Sequence, residues 1–298
     1  NAKSFYWASF FLSKETFKKC SSLYNFCRTL DDIVDDHKEL EDKRENFFKF
    51  KKEFINKDFR SSIIKEMWST INTENISTKI VFDLFDGVET DLKERVEINK
   101  KKDLFIYSYR VAGTVGLMMC SLMNVTNKNL LPFAIELGIA MQFTNISRDV
   151  KEDLEMNRIY LPESFRSFNF SSYKELLNNN KKKNLMVGDV LKLINYSNKI
   201  YKSSMNGILR LPFKYKLPIL IASRLYQNIG FIILKRRRKL FRKRIYVSRL
   251  KKMYITLNCI LFLLFKNNFN KSNDSYHKEV KIILSNYLRK YDENSAYY

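Results

Sequence analysis

The chain has 298 residues, with 54 Lys and Arg against 32 Asp and Glu, and a formal net charge of +22. Hydrophobic residues make up 45%, which excludes a disordered chain, and 7 Gly with 4 Pro punctuate too few turns for a many-stranded β fold. With 4 Cys in no CxxC pair and only 2 His, neither a zinc site nor a disulfide framework is expected. Chemistry should then rest on carboxylates, in a reducing interior compartment.

Helical periodicity dominates from the start. Ser13 reads as an N-cap for a helix running to about Asp36, with Phe17, Cys20, Leu23, Tyr24, Cys27, Leu30 and Val34 on one face. Leu40 to Ile55, Ser61 to Ile71 and Thr78 to Val96 read as further helices. Lys102 to Met123 is a long apolar helix with a small-residue interruption at Ala112, Gly113 and Gly116. Leu130 to Leu154 is another, and Pro162 marks the stop after it. Ser164 to Tyr173 reads as a loop and Asn178 to Asn184 as a polar, mobile connection. Helices resume over Val187 to Leu209, and Pro218 opens another through Leu234. From about residue 270 to 298 the tail is polar and expected to fray. No repeat and no domain boundary is visible, so the expectation is one all-α domain over 1–298. The longest apolar run, Ile255 to Phe265, is too short for a membrane span of ~20 residues.

Two stretches carry the chemistry. Asp31-Asp32-Ile33-Val34-Asp35-Asp36 ends the first long helix. Asp31 and Asp35 share a face, and four carboxylates at a helix C-terminus repel one another and oppose the dipole. A cation offsets both penalties. On the later helix, Gln142, Asn145, Asp149 and Asp153 recur at spacings of three, four and four on one face, beside Arg148 and Glu152. The rest of that helix is apolar, so polar groups in register are costly to bury unless they bind something. Such oxygen donors suit magnesium, which uses few carboxylates together with substrate phosphates.

Leu23-Tyr24-Asn25-Phe26-Cys27-Arg28-Thr29-Leu30-Asp31-Asp32-Ile33-Val34-Asp35-Asp36, preceded by Ser4-Phe5-Tyr6, resembles the first aspartate-rich motif of the squalene and phytoene synthases. Tyr109-Arg110-Val111-Ala112-Gly113-Thr114-Val115-Gly116-Leu117-Met118 is similar to the family's central helix motif. Leu137 through Asp153, continuing to Arg158-Ile159-Tyr160-Leu161-Pro162, resembles its second aspartate-rich motif. Arg244-Ile245-Tyr246-Val247-Ser248 looks like a late segment of the phytoene branch. The resemblance implies an all-α prenyl-synthase bundle around a central hydrophobic cavity. It implies that Asp31, Asp35, Asn145, Asp149 and Asp153 hold magnesium, with manganese as a substitute, and through it two diphosphates. Arg28, Arg148 and Arg244 would contact phosphate oxygens, and Ser4, Phe5, Gln142 and Tyr160 would line the site. Tyr24, Tyr107 and Tyr226 would sit near the reacting allylic carbons or the departing diphosphate. Ser147 and Lys151 depart from the family's usual apolar residue and Gly.

The implied reaction joins two geranylgeranyl diphosphates to phytoene through a cyclopropyl intermediate, with no NADPH. Three alternatives stay open: a squalene, dehydrosqualene or hydroxysqualene synthase using farnesyl diphosphate, a cyclising class I terpene synthase, and a non-catalytic relative. Lys235 to Lys252 carries eleven basic residues and no acid, which reads as a surface for anionic lipid or as a solvated basic stretch. Aromatic interleaving there is thin, so nucleic acid is not an expected partner. The expected location is cytoplasmic and peripheral to a membrane. Because the chain opens on Asn1, a preceding plastid leader is left open, as is the oligomeric state.

Overall fold

The computed structural model describes residues 2–36, 39–168, 173–242, 244–265 and 275–285. The helices are α1 (Ala2–Ser9), α2 (Lys14–Asp35), α3 (Leu40–Ile55), α4 (Ser62–Thr73), α5 (Thr78–Glu89), α6 (Lys101–Ser108) and α7 (Thr114–Leu122). They continue as α8 (Leu131–Arg148), α9 (Val150–Glu155), α10 (Tyr173–Asn178), α11 (Asn180–Ile208), α12 (Phe213–Lys235), α13 (Arg249–Phe265) and α14 (Ser275–Ile283). The only strands among the described residues are two short parallel ones, β1 (Val96–Glu97) and β2 (Arg158–Ile159), paired to each other. The all-α expectation holds.

Ser13 caps α2 as expected, its Oγ accepting from the Thr16 N–H at 3.2 Å. The helix has two working faces. Cys20, Leu23, Tyr24, Cys27 and Asp31 look into a cavity. Phe26, Leu30 and Val34 pack the other way, where Phe26 meets Phe54 (5.4 Å) and Phe85 (5.8 Å). Phe54 in turn stacks on Trp68 at 5.0 Å. This aromatic cluster from α2 to α5 holds the aspartate end of α2 in place.

Helix α8 is the centre of the bundle, packed on α7, α11, α12 and α14. Its approach to α7 needs glycine. A Cβ on Gly138 would lie 2.4 Å from the Ala112 carbonyl oxygen, and one on Gly116 would lie 2.5 Å from that of Ala134. Backbone cannot yield as a side-chain tip can. Gly138→Ala is therefore expected to cost about 3 kcal/mol, read as a lower Tm; an unchanged melt would show that the two helices can separate freely.

Several boundaries differ from expectation. The predicted helix from Lys102 to Met123 is interrupted by a π-helical turn, Tyr109–Gly113. There the buried Tyr109 hydroxyl donates to Asp83 at 2.8 Å and the Thr114 hydroxyl bonds to the Arg110 carbonyl. The helix from Thr78 stops at Glu89, because a short 3-10 turn and β1 follow. The second aspartate helix ends at Glu155, within a residue of the expected Leu154, but it is interrupted at Asp149; beyond it Asn157 takes the left-handed conformation (φ 58°) and its side-chain amide donates to the Glu94 carbonyl. The polar run from 178 to 184 is largely helical, capped by Asn179, whose Oδ1 accepts from Lys182 N. Pro218 lies inside α12, in its second turn, where Pro212 and Phe213 begin the helix.

Within the tail expected to fray, the described residues 275–285 carry a packed helix. On α14, Val280 and Leu284 beyond it are buried, His277 bonds to the fully buried Glu136, and Glu279 pairs with Lys101 at 2.6 Å. Residues 286–298 lie outside the described residues. At the other end, Trp7 Nε1 donates to Thr256 Oγ1 at 2.9 Å, fastening α1 to α13. Helices α8 and α12 are long and apolar enough to cross a bilayer, yet about half of each is buried within this bundle, where they serve as core.

Candidate active site

A cavity of about 360 Å³ runs between α2, α6–α8, α11 and α12. Its walls are apolar and close on Met123, Leu130 and Phe133, while Asp31, Asp91, Gln142 and Asn145 supply carboxylate and amide groups. Tyr24, Tyr107 and Tyr226 all line it. Phe143 and Ile146, on other faces of α8, are buried in packing instead.

The two aspartate motifs meet at this end. Asp31 is open to water on its cavity side and enclosed by protein elsewhere; burial and the neighbouring Asp35 carboxylate push it up to about 7. Burial raises Asp153 well above the carboxylate range, and the charges of Asp149, Asp91 and Asp35 add to it. Asp153 borders a small void behind the main cavity, with Arg158 and Tyr160. The chain breaks between α8 and α9 at Asp149 (φ −99°, ψ 14°), so the four polar residues of this motif do not all face one space.

Arginines hold the rest. Arg148, 3% exposed, clamps Asp149, with Nε to Oδ1 at 2.7 Å. Arg244, itself exposed, reaches the same carboxylate at 3.1 and 3.2 Å. Burial pushes Asp149 up, but the two guanidinium partners outweigh it and leave its pKa lowered. Arg28 pairs with Asp32 at 2.5 Å on the exposed side of α2. Tyr160 stands behind Tyr107 rather than on the cavity wall, stacked on it at 4.8 Å. Ser4 and Phe5 belong to α1, and their side chains are outside the described residues.

Two residues of this site have no role in the sequence reading. Asp91 accepts the Tyr107 hydroxyl at 2.9 Å and the Tyr160 hydroxyl at 2.6 Å. Burial pushes it up to about 6, against the pull of Arg158 and the two tyrosines. Arg158 donates to Asp35 at 2.7 Å and to the Val34 carbonyl at 2.8 Å. Asp91 lies in the short 3-10 turn after α5, inside a stretch whose periodicity reads as continuous helix, so nothing in its spacing sets it apart. Arg158 could have been found as a charge in an apolar Ile-Tyr-Leu-Pro stretch.

Does this donor set suit a divalent cation? Among the described residues no three carboxylate, imidazole or thiol groups form a ready metal cage. The oxygens nonetheless fit one. Asn145 Oδ1 is buried with no protein partner while its amide donates to Gln142 at 3.2 Å. Asp31 and Asp153 crowd like charges that a cation would relieve. Hard oxygen ligands of this kind suit magnesium.

A pH prediction follows from the raised carboxylates. Asp31 and Asp91 titrate in the folded protein above the unfolded value of about 4. Their stabilising contribution is full below that value and is lost as pH rises through about 6 to 7. In chelator, Tm should fall between about pH 5 and about pH 8, and magnesium should restore it at the upper end. A Tm indifferent to both would contradict the crowding described.

An all-α bundle around an apolar cavity, with two acidic helix ends at one rim, defines an isoprenoid synthase fold. The squalene/phytoene synthase family model matches residues 1–251, and the chain belongs to that family. A crystal structure of a dehydrosqualene synthase in complex with ligand is similar with a TM-score of 0.73 at 26% identity, over 89% of this chain and 93% of that one. The squalene synthase of Alicyclobacillus acidocaldarius, at 16% identity and a TM-score of 0.65, shares the fold. In sequence, the 15-cis-phytoene synthase of Pantoea ananas is 27% identical over 77% of each chain. A bifunctional lycopene cyclase/phytoene synthase of Pyrenophora tritici-repentis is 29% identical over 76% of this chain, which spans only 44% of that protein.

Proposed function

We propose that this chain condenses two geranylgeranyl diphosphates head to head into phytoene, a prenyl transfer at the head of carotenoid formation. The observation that carries the reading is the apolar cavity with the two aspartate motifs at one end. The phytoene synthases of Pantoea ananas and Synechocystis, 27% and 29% identical, support the choice within the family.

Asp31, Asp35, Asn145, Asp149 and Asp153 would hold magnesium, which supplies charge neutralisation for the departing diphosphate. Arg148 and Arg244 are placed to trade a carboxylate for a phosphate oxygen, and a guanidinium binds either in the same forked manner. The first allylic C–O bond breaks and releases diphosphate. The second molecule's double bond attacks the cation and a proton leaves, closing the cyclopropane. Loss of the second diphosphate and a second proton gives the hydrocarbon, so no reductant enters. Tyr24, Tyr107 and Tyr226 offer aromatic faces to positive carbon, and the apolar wall keeps water from quenching it. Tyr107→Phe removes the hydroxyl that Asp91 holds; it is expected to slow turnover by about tenfold, read at saturating substrate.

A second reading is a farnesyl diphosphate-using enzyme of the squalene branch, favoured by the likeness to the dehydrosqualene synthase structure. The deciding experiment incubates the protein with magnesium and each diphosphate, without NADPH, and reads product mass. A C40 hydrocarbon from the C20 substrate supports phytoene formation. A C30 product moves the chain to the squalene branch, and absence of diphosphate release from both substrates overturns the enzyme reading.

A further inference from the structure

We propose that the outward face of α13, with the basic run leading into it, docks on an anionic lipid bilayer. Leu250, Met253, Tyr254, Leu257, Leu261 and Leu264 recur at three- and four-residue spacings, and all are exposed, Leu250 at 79% and Leu264 at 64%. After Lys252 the helix has no charged residue, and Asn258 is its only exposed polar one. The opposite face is committed: Ile255, Thr256 and Cys259 are buried, and Thr256 holds Trp7. The helix cannot roll to hide the stripe. A continuous apolar face of this length on a protein surface marks a partner.

Charge selects the partner. No Asp or Glu occurs between Asp189 and Asp274, and eleven Lys and Arg fill Lys235 to Lys252. A second copy of this chain would bring another +22 and the same basic run to the seam. A bilayer carrying anionic headgroups meets both needs, with acyl chains for the leucines and phosphates for the guanidinium and ammonium groups. The surface also adjoins the site. Arg244 lies in the basic run, holds Asp149 at 3.1 Å, and stands five positions ahead of Arg249, the first residue of α13. If the prenyl diphosphate reading holds, its apolar tail partitions into the bilayer on which the edge of the site rests.

The test is sedimentation of the full chain with phosphatidylcholine vesicles, with or without phosphatidylglycerol. Binding is expected only to the anionic vesicles. The double substitution Leu257→Asp, Leu261→Asp is expected to weaken it at least tenfold, with Tm and turnover on detergent-dispersed substrate unchanged. Arg236→Gln with Arg237→Gln should weaken it in a salt-dependent way. Vesicle binding that ignores the leucine substitutions would overturn the role of α13. So would a dimer in sedimentation velocity that the same substitutions dissolve while vesicle binding is absent. Because binding is read without substrate, an error in the assigned reaction would leave this result intact.

Discussion

Asp149→Asn is expected to lower turnover by at least about a hundredfold and to lower Tm, whereas Asp31→Asn should cost as much activity while raising Tm. The contrast comes from neighbours. Asp149 is the charge partner of Arg148, a cation 3% exposed to water, and also of Arg244. Neutralising it removes the carboxylate that Arg148 clamps, at a cost of about 3 kcal/mol. Asp31 sits among Asp32, Asp35 and Asp91, with the Arg28 guanidinium opposing them. Removing its charge relieves repulsion; since water reaches it, the gain is held to about 1 kcal/mol. Thermal melts in chelator beside steady-state rates would separate the two effects. Equal melting shifts for both variants would contradict the unequal environments described above.

Arg158→Met is expected to be among the most damaging single changes in the chain, at about 3–5 kcal/mol, or roughly 10 °C in Tm. Arg158 is 5% exposed and ties three parts of the site together. It donates to Asp35 and to the Val34 carbonyl near the end of α2, and its charge also restrains Asp91 and Asp153. The pairing of β2 with β1 fixes where it stands. Methionine fills similar space, so the loss is of charge and hydrogen bonds rather than of volume. Arg158→Lys should recover part of the stability, because an ammonium keeps the charge but cannot reach both acceptors in a plane. If Arg158→Met melts like the parent, the acids must find another counter-charge.

How much of this was legible in the residues depends on range. The α2 cap and its stripe are local, set by one serine and a three-to-four spacing, and Ser13 and Lys14–Asp35 agree with the reading. The boundaries of α3 were legible for the same reason, whereas the arrangement around a central cavity was implied by the family resemblance. The break at Asp149 was not legible, since the three-and-four spacing runs on from Gln142 to Asp153 with no Gly or Pro to interrupt it, and it shows in the backbone angles at Asp149. Asp91 was invisible because its importance lies in two hydroxyls, 16 and 69 residues away. Glu136 is a lone charge in an apolar stretch of α8, and its partner, His277, comes from 141 residues downstream. The ligand assignments came from resemblance, and the orphaned Asn145 oxygen is the feature that supports one of them independently.

The bond between Trp7 and Thr256 spans 249 positions of chain. A ribosome adding about 5–20 residues per second needs roughly 10–50 s to bridge that interval. Throughout it, the indole of Trp7 lacks the Thr256 hydroxyl, and α12, which also packs on α1, is itself made late; the Tyr6 contacts with Phe17 and Tyr24 of α2 can form first. Helix α1 is therefore fastened only after α13 is made, and a nascent chain stalled before α13 would leave the Trp7 indole without its acceptor.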